Sequence, residues 1–372
     1  MRILVVNWND RDNPHGGGAE VHLHEIFGRI ASMGNRVDLL ASGWKGASPR
    51  GYLDGIDIHR VGTRFTFPFH ARRYYRDRLS AQHYDIVVED LNKIPLYTPR
   101  WGAKRVVVLV HHLFGPTVFR EAIPPMAAAV WLAERGIRSV YGRVPFEAVS
   151  ESTAEDLVTR GIPRKAIKVI NNGMDVGFFT PMPGTRSSSP LFSYVGRLKR
   201  YKGVNLILQA FAHLDIPAAR LEIAGAGDFR DDLEKLTDRL GIRDRVRFPG
   251  FISAEEKRDL LRKSWATVFA SPKEGWGLTN LEAQACGTPA IASDSPGLRE
   301  SLIDGETGIL VPHADTYALA SAMKKLASHP NLMENYGKAG RAFAEQFTWD
   351  KAATETLSHL KQVVQRGNQK WK

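Results

Sequence analysis

The sequence predicts an α/β protein made of two doubly wound parallel sheets, side by side. Short apolar runs rich in β-branched residues alternate with longer segments of helical spacing, as buried parallel strands alternate with crossover helices. These runs form two series, separated by a Pro-, Gly- and Ser-rich stretch at 181–190 that reads as the interdomain linker. A length of 372 residues suits two domains.

The first series starts with Arg2 to Asn7, followed by a glycine-bearing turn and a helix over Ala19 to Met33. Strands are then expected at 37–41, 85–88, 105–110, 146–150 and 167–170. The second series has its strands at 191–195, 221–224, 246–248, 266–270, 290–292 and 308–311, with helices between. A terminal helix covers Thr348 to Val364, and a polar tail follows. The domains are expected at 1–172 and 173–350, with 351–372 forming a C-terminal helix and basic tail.

Composition narrows the class of protein. Apolar residues make up 43% and charged residues 24%, which excludes a disordered or collagen-like chain. No window reaches the roughly 20 apolar residues of a membrane span. The single cysteine, Cys286, has no partner for an internal disulfide, and the first residues carry no long apolar stretch, so a cytoplasmic location is expected. The net charge of +11 is unevenly spread: residues 59–143 hold 14 Lys/Arg against 6 Asp/Glu.

Four motifs carry candidate chemistry. Gly16-Gly17-Gly18 lies between the first strand and its helix, where glycine backbone and a helix N-terminus can approach a phosphate; a tight turn needing positive φ is the competing explanation. Its spacing matches neither G-x-G-x-x-G nor a P-loop. His111-His112 ends a strand, the edge at which open α/β sheets bind ligands. Gly196 to Gly203 contains Arg197 and Lys202, two cations suited to a diphosphate, although basic turns are often only solvated. In Glu274-Gly275-Trp276-Gly277-Leu278, a helix beginning near Leu278 would put Glu274 before its N-terminus and Glu282 about one turn inside. Glu282 suits a ribose diol, or simply pairs with a neighbouring cation. No Asp-x-Asp pair at a strand end and no His/Cys zinc spacing is present, so no metal is expected.

Taken in order, these motifs resemble the retaining glycosyltransferases of family 4 (glycosyl transferases group 1) over essentially the whole chain. The matching elements are Gly17-Gly18-Ala19-Glu20, His111, Ser150 with Ser152-Thr153, Asn172-Gly173-Met174-Asp175, Gly196-Arg197 with Lys202, Gly225-Ala226-Gly227-Asp228, Pro249-Gly250-Phe251, and Glu274 and Glu282 with seven residues between them. The resemblance implies a GT-B fold: two Rossmann-like domains facing across a cleft, with the C-terminal helix packing back on the N-terminal, acceptor-side domain. It also implies a nucleotide-diphosphate sugar donor, UDP or GDP, bound by the second domain, and no cofactor.

The same resemblance implies roles for individual residues. Gly17 and Gly18 would contact the donor diphosphate or the transferred sugar, and Gly196 and Gly225 would belong to the nucleotide-sugar site. Arg197 and Lys202 would neutralise the leaving group. Glu274 and the backbone of Gly275, Trp276, Gly277 and Leu278 would hold the sugar and distal phosphate, Glu282 the ribose, and Phe251 or Ile252 the base. His111 would sit near the anomeric carbon. Trp276 stands where the family usually has Phe, which leaves the donor sugar open. Attack would be front-face with retention, the leaving phosphate helping to take the acceptor proton.

On the acceptor side, Arg60, Arg64, Arg72, Arg73, Arg76 and Arg78 interleave with Phe65, Phe67, Phe69, Tyr74 and Tyr75. Residues 60–78, with the apolar stretch 123–132, are expected to meet an anionic membrane surface or a lipid-linked acceptor, peripherally at the inner face of the cell membrane. A basic helix face over core aromatics is the alternative. Nucleic acid is not expected, because no nucleic-acid motif appears. A soluble-glucan or small-molecule transferase of the same fold competes with the glycolipid or polysaccharide reading. A dinucleotide oxidoreductase lacks its glycine fingerprint, and a non-catalytic sugar-nucleotide binder would have little reason to retain both glutamates and both cations.

Overall fold

The structure, a computed structural model, describes residues 1–91, 94–113, 115 and 124–367, with 124–127 and 129 described as backbone only. The chain separates into two compact units, one formed by Met1–Gly173 with Trp349–Lys372, the other by Met174–Thr348.

The first unit is built on an eight-stranded sheet. In chain order its strands are β1 (Arg2–Val6), β2 (Arg36–Ala41), β3 (Arg50–Leu53), β4 (Ile56–Arg60), β5 (Ile86–Leu91), β6 (Val106–Val110), β7 (Phe146–Ala148) and β8 (Ile167–Val169). Their spatial order is β3-β4-β2-β1-β5-β6-β7-β8, and every pairing is parallel except β3 with β4. The β3–β4 hairpin is an addition to the expected strands. Asp54 and Gly55, at φ 55° and 80°, make its two-residue turn, the conformation for which Asp-Gly is suited.

Helix α1 (Gly18–Ser32) follows β1, and the next helices are α2 (Phe67–Tyr74), α3 (Pro124–Arg135), α4 (Ile137–Tyr141) and α5 (Glu151–Thr159). Ser150 caps α5 by accepting the Thr153 N–H at 3.1 Å. Phe67, Tyr141, Phe146, Val108 and Val110 are fully buried together on one side of the sheet.

The second unit carries a six-stranded parallel sheet of β9 (Leu191–Val195), β10 (Arg220–Ala224), β11 (Val246–Gly250), β12 (Ala266–Phe269), β13 (Ala290–Ser293) and β14 (Gly308–Val311), in the order β11-β10-β9-β12-β13-β14. Its helices are α6 (Val204–Ala212), α7 (Arg230–Arg239), α8 (Ala254–Lys263), α9 (Leu278–Ala285), α10 (Thr316–Ser328) and α11 (Pro330–Ala344). Ser253 and Glu256 form a reciprocal capping box at the start of α8. The chain then returns to the first unit as α12 (Trp349–Arg366), which packs on α1. Glu147 of β7 holds α12 by accepting from His359 Nδ1 at 2.7 Å and Thr356 Oγ1 at 3.2 Å.

The stretch 181–190 is not the junction that its composition suggested. It lies within the second unit. Arg186 donates to the Ser264 carbonyl, to Thr288 Oγ1 at 2.6 Å and to the Gly287 carbonyl at 2.7 Å, and Trp265 Nε1 donates to the Ser187 carbonyl at 2.8 Å. These bonds are invisible to a composition signal.

Candidate functional site

In an open parallel sheet the crevice for a ligand opens where successive strands are laid down in opposite directions. In the second unit that point lies between β9 and β12, and the chain places candidate residues after both strands. After β9, Gly196 turns the chain into Arg197, which is exposed and donates to the Tyr201 hydroxyl at 2.9 Å. Lys202 follows on a single 3₁₀ turn, and its Nζ lies 2.6 and 2.7 Å from the two Glu274 carboxylate oxygens. Ser271 Oγ donates to the same carboxylate at 2.7 Å. Lys202 and Glu274 are thus joined at the switch point, with side chains only 15% and 18% exposed.

Helix α9 begins at Leu278, as expected, and Gly277 caps it at φ 76°. A Cβ on Gly277 would stand 2.6 Å from Ser301 Oγ, so both backbone and packing require glycine there. Gly275 and Leu278 are partly exposed on either side of this cap. Trp276 is buried against Phe347, ring centroids 5.3 Å apart, and its indole N–H has no hydrogen-bond partner among the described residues. One turn into α9, Glu282 is buried and paired with Lys257 of α8, Nζ to Oε1 at 2.6 Å. Burial pushes the Glu282 carboxyl above the usual carboxylate range, against the pull of Lys257. The two glutamates therefore bind different cations.

Gly225 ends β10 beside Gly196, and an added Cβ would lie 1.8 Å from the Gly196 carbonyl oxygen. Its glycine is explained by packing of adjacent strand ends. Beyond β11, Phe251 is 85% exposed and Ile252 is partly buried.

In the first unit, Gly17 and Gly18 open α1. Gly17 is extended, at φ −154° and ψ −154°, and its N–H donates to Glu20 Oε2 at 2.7 Å. Gly18 is not at positive φ, and a Cβ there would meet nothing within 4 Å among the described residues. The turn explanation for these two glycines therefore fails, and open backbone at a helix N-terminus remains. His111, just after β6, is buried with Nε2 3.1 and 3.3 Å from the two Asp90 carboxylate oxygens. Phe114 and residues 116–123 lie outside the described residues, and so does Ile123 of the apolar stretch at 123–132.

The aromatic stretch at 65–75 divides in two. Phe67 and Tyr75 are core and Tyr74 hydrogen-bonds His59, as a basic helix face over core aromatics would have it, whereas Phe65 and Phe69 are exposed, at 71% and 79%. Arg60 is likewise spoken for, its Nε 2.7 Å from Asp10 Oδ2. Arg64, Arg72, Arg73, Arg76 and Arg78 are exposed. Among the described residues, no helix is long and apolar enough to cross a membrane, and no group of three His, Cys, Asp or Glu is arranged to hold a metal ion.

Motif reading missed Lys257, Ser271, Asp90 and His22. Lys257, Asp90 and His22 meet their partners only across strands or helices, so no local pattern marks them, whereas Ser271 lies three residues before Glu274 in the same loop.

Two open, almost wholly parallel sheets, the second with Lys202 and Glu274 paired at its strand switch point, define the doubly wound α/β class, in which ligands bind at the strand ends. The family models are specific: residues 16–178 match Glycosyltransferase Family 4, and residues 181–343 match Glycosyl transferases group 1. The chain belongs to the family 4 glycosyltransferases and has the GT-B fold. It is 32% identical to a D-inositol 3-phosphate glycosyltransferase of Xylanimonas cellulosilytica, over 98% of this chain and 97% of that one. A relative of the same name from Streptomyces bingchenggensis is 33% identical over 63% of this chain, which spans 56% of that relative's length. A GDP-mannose-dependent alpha-(1-6)-phosphatidylinositol monomannoside mannosyltransferase of Mycolicibacterium smegmatis is 28% identical over 90% of this chain and 92% of its own. Among solved structures, sucrose-phosphate synthase from Thermosynechococcus elongatus superposes with TM-score 0.83 at 22% identity, covering 99% of this chain and 100% of that one.

Proposed function

We propose that this glycosyltransferase moves a sugar from a nucleotide-diphosphate sugar, UDP- or GDP-linked, to a hydroxyl of a membrane-associated or glycoconjugate acceptor, with retention of configuration. The observation that carries this is the Lys202–Glu274 pair at the β9/β12 switch point, beside the N-terminus of α9. Arg197, Lys202 and the α9 N-terminus meet the negative charge that grows on the leaving phosphate. Glu274 accepts from the sugar hydroxyls, Glu282 from the ribose, and main chain at Phe251 or Ile252 meets the base. Gly17, Gly18 and His111 act on the diphosphate and sugar. The leaving phosphate takes the acceptor proton, so no protein base and no metal is required.

Phosphatidylinositol monomannoside in the name of one relative, which also names GDP-mannose, and inositol 3-phosphate in the name of another support a polyol or glycolipid acceptor. Arg64, Arg72, Arg73, Arg76 and Arg78, with Phe65 and Phe69 beside them, support docking on anionic lipid.

The test is a thermal-shift panel of UDP- and GDP-sugars, followed by transfer to inositol phosphate and phosphatidylinositol acceptors. A true donor at 100 times its Kd adds about 2.7 kcal/mol of stability, and transfer then proceeds at full rate with chelator present. If no member of the panel stabilises the protein or gives up its sugar, the reading is wrong.

A further inference from the structure

His111 does not stand alone at the end of β6. Asp90 of β5 is paired in register with Leu109, two residues before His111, so Asp90 and His111 are diagonal neighbours on one face of the sheet. From that same side, α1 brings His22, whose ring meets the His111 ring edge-on with centroids 4.7 Å apart. His22 is 4% exposed, its Nδ1 has no hydrogen-bond partner among the described residues, and the Trp349 ring of α12 lies against it at 5.9 Å. The backbone of His111 is also tied, since Thr153 Oγ1 of α5 donates to its carbonyl at 3.1 Å.

We propose that Asp90 and His22 are positioning residues for His111: Asp90 binds Nε2 and holds the imidazole as a cation, while a neutral His22 ring closes it in from α1. This rests on the assignment of His111 to the reacting sugar.

The chemical consequence follows from the imidazole ring itself. With Nε2–H donating to Asp90, the remaining nitrogen, Nδ1, carries a hydrogen only in the imidazolium form. A neutral His111 would offer a ligand a lone pair; a charged one offers an N–H to a sugar hydroxyl or to the oxygen on which negative charge develops. Asp90 therefore decides whether His111 acts as an acceptor or as a donor. No proton is transferred in this scheme; the ring stabilises charge by a hydrogen bond and by its own positive charge.

The charged and titratable groups facing the ring agree with this polarity. Burial disfavours the His111 cation, but the charge and hydrogen bond of Asp90, together with the charge of Glu20, outweigh it and raise the value above the usual imidazole range. His22 is held well below that range, first by burial and then by repulsion from His111. Glu20 is itself fixed by the Gly17 N–H at 2.7 Å and Asn9 Nδ2 at 3.2 Å. From α12 the facing group is Trp349, which carries no charge.

The experiment is histidine-ring NMR on the intact protein without ligand, with the His111 resonances assigned by His111→Gln. At neutral pH, ¹⁵N shifts should show both ring nitrogens of His111 protonated and His22 neutral. The His111 midpoint should lie above the ordinary value of about 6.5, fall at least tenfold in proton affinity in Asp90→Asn, and remain high in His22→Phe, which keeps the aromatic wall. A neutral His111 in the wild-type protein, or a midpoint that Asp90→Asn leaves in place, overturns the proposal; the first of these readings is made on the wild-type protein and needs no folded Asp90 variant. In the transfer assay, activity should decline as pH rises through the His111 midpoint, and Asp90→Asn should move that decline to lower pH by the same interval. A decline that stays put while the NMR midpoint moves overturns the role in transfer. If the NMR results hold but no nucleotide sugar is turned over, the functional reading fails by itself.

Discussion

Lys202 and Glu274 lie 72 positions apart in the chain, yet the lysine Nζ stands within 2.7 Å of both carboxylate oxygens. The pair binds the loop after β9 to the loop after β12, and it sets a cation and an anion side by side at the strand switch point, where the proposed function assigns the leaving group and the sugar.

Removing the cation alone should be costly in two ways. Lys202→Ala leaves the Glu274 carboxylate, 18% exposed, without its counter-charge, and lowers kcat by about 100-fold or more, some 2.7 kcal/mol in the transition state. The double variant Lys202→Met with Glu274→Gln should recover the melting temperature but not the rate. Recovery of both would assign the pair to stability only. Arg197→Ala, at an exposed position, should lose a similar factor in rate with the melting temperature unchanged.

The glycines should separate in the same manner. Gly18→Ala puts its methyl into open space in the first turn of a helix, so stability holds or rises by up to about 1 kcal/mol, while affinity for the nucleotide sugar falls at least tenfold. Gly225→Ala drives a methyl into the Gly196 carbonyl and should give little folded protein. Calorimetric titration and thermal unfolding of the two variants check this.

Lys257→Met tests Glu282 through pH. With its cation gone, a buried carboxylate is stranded, at a cost of about 3 kcal/mol near pH 8. Glu282 already holds its proton more tightly when folded than when unfolded, because of burial, and losing Lys257 strengthens that preference. The folded state therefore binds the extra proton, and stability rises as pH falls. The deficit in melting temperature should shrink toward about pH 5, and adding Glu282→Gln should flatten the profile.

On the first unit, Phe69→Ser with Arg72→Glu and Arg73→Glu alters exposed side chains only, so folding should be unaffected. Each cation near an anionic bilayer is worth about 1 kcal/mol. Sedimentation with phosphatidylserine or phosphatidylinositol vesicles at low salt should fall by tenfold or more. Equal sedimentation of wild type and variant would reject docking through this surface.

How much of this was legible beforehand depended on the range of the interaction. β1 with the start of α1, and β12 with the start of α9, were readable because apolar runs and glycine turns are local signals. The β3–β4 hairpin carried a local sign as well, Asp54-Gly55, which the reading of long alternating segments passed over. The stretch 181–190 misled because proline and serine mark a loop, whereas the anchoring of that loop depends on Arg186 reaching residues 78 to 102 positions away.

The amino-acid sequence by itself determined the two α/β series, the glycine-bearing strand-to-helix turns, and the placement of Glu274 and Glu282 around one helix start, all of which follow from periodicity and spacing within a few residues. Only the tertiary structure decided the pairings: Lys202 with Glu274, Lys257 with Glu282, Asp90 and His22 with His111, and α12 with α1. Strand order sets which loop ends become neighbours, and strand order is fixed by long-range packing that no local pattern encodes.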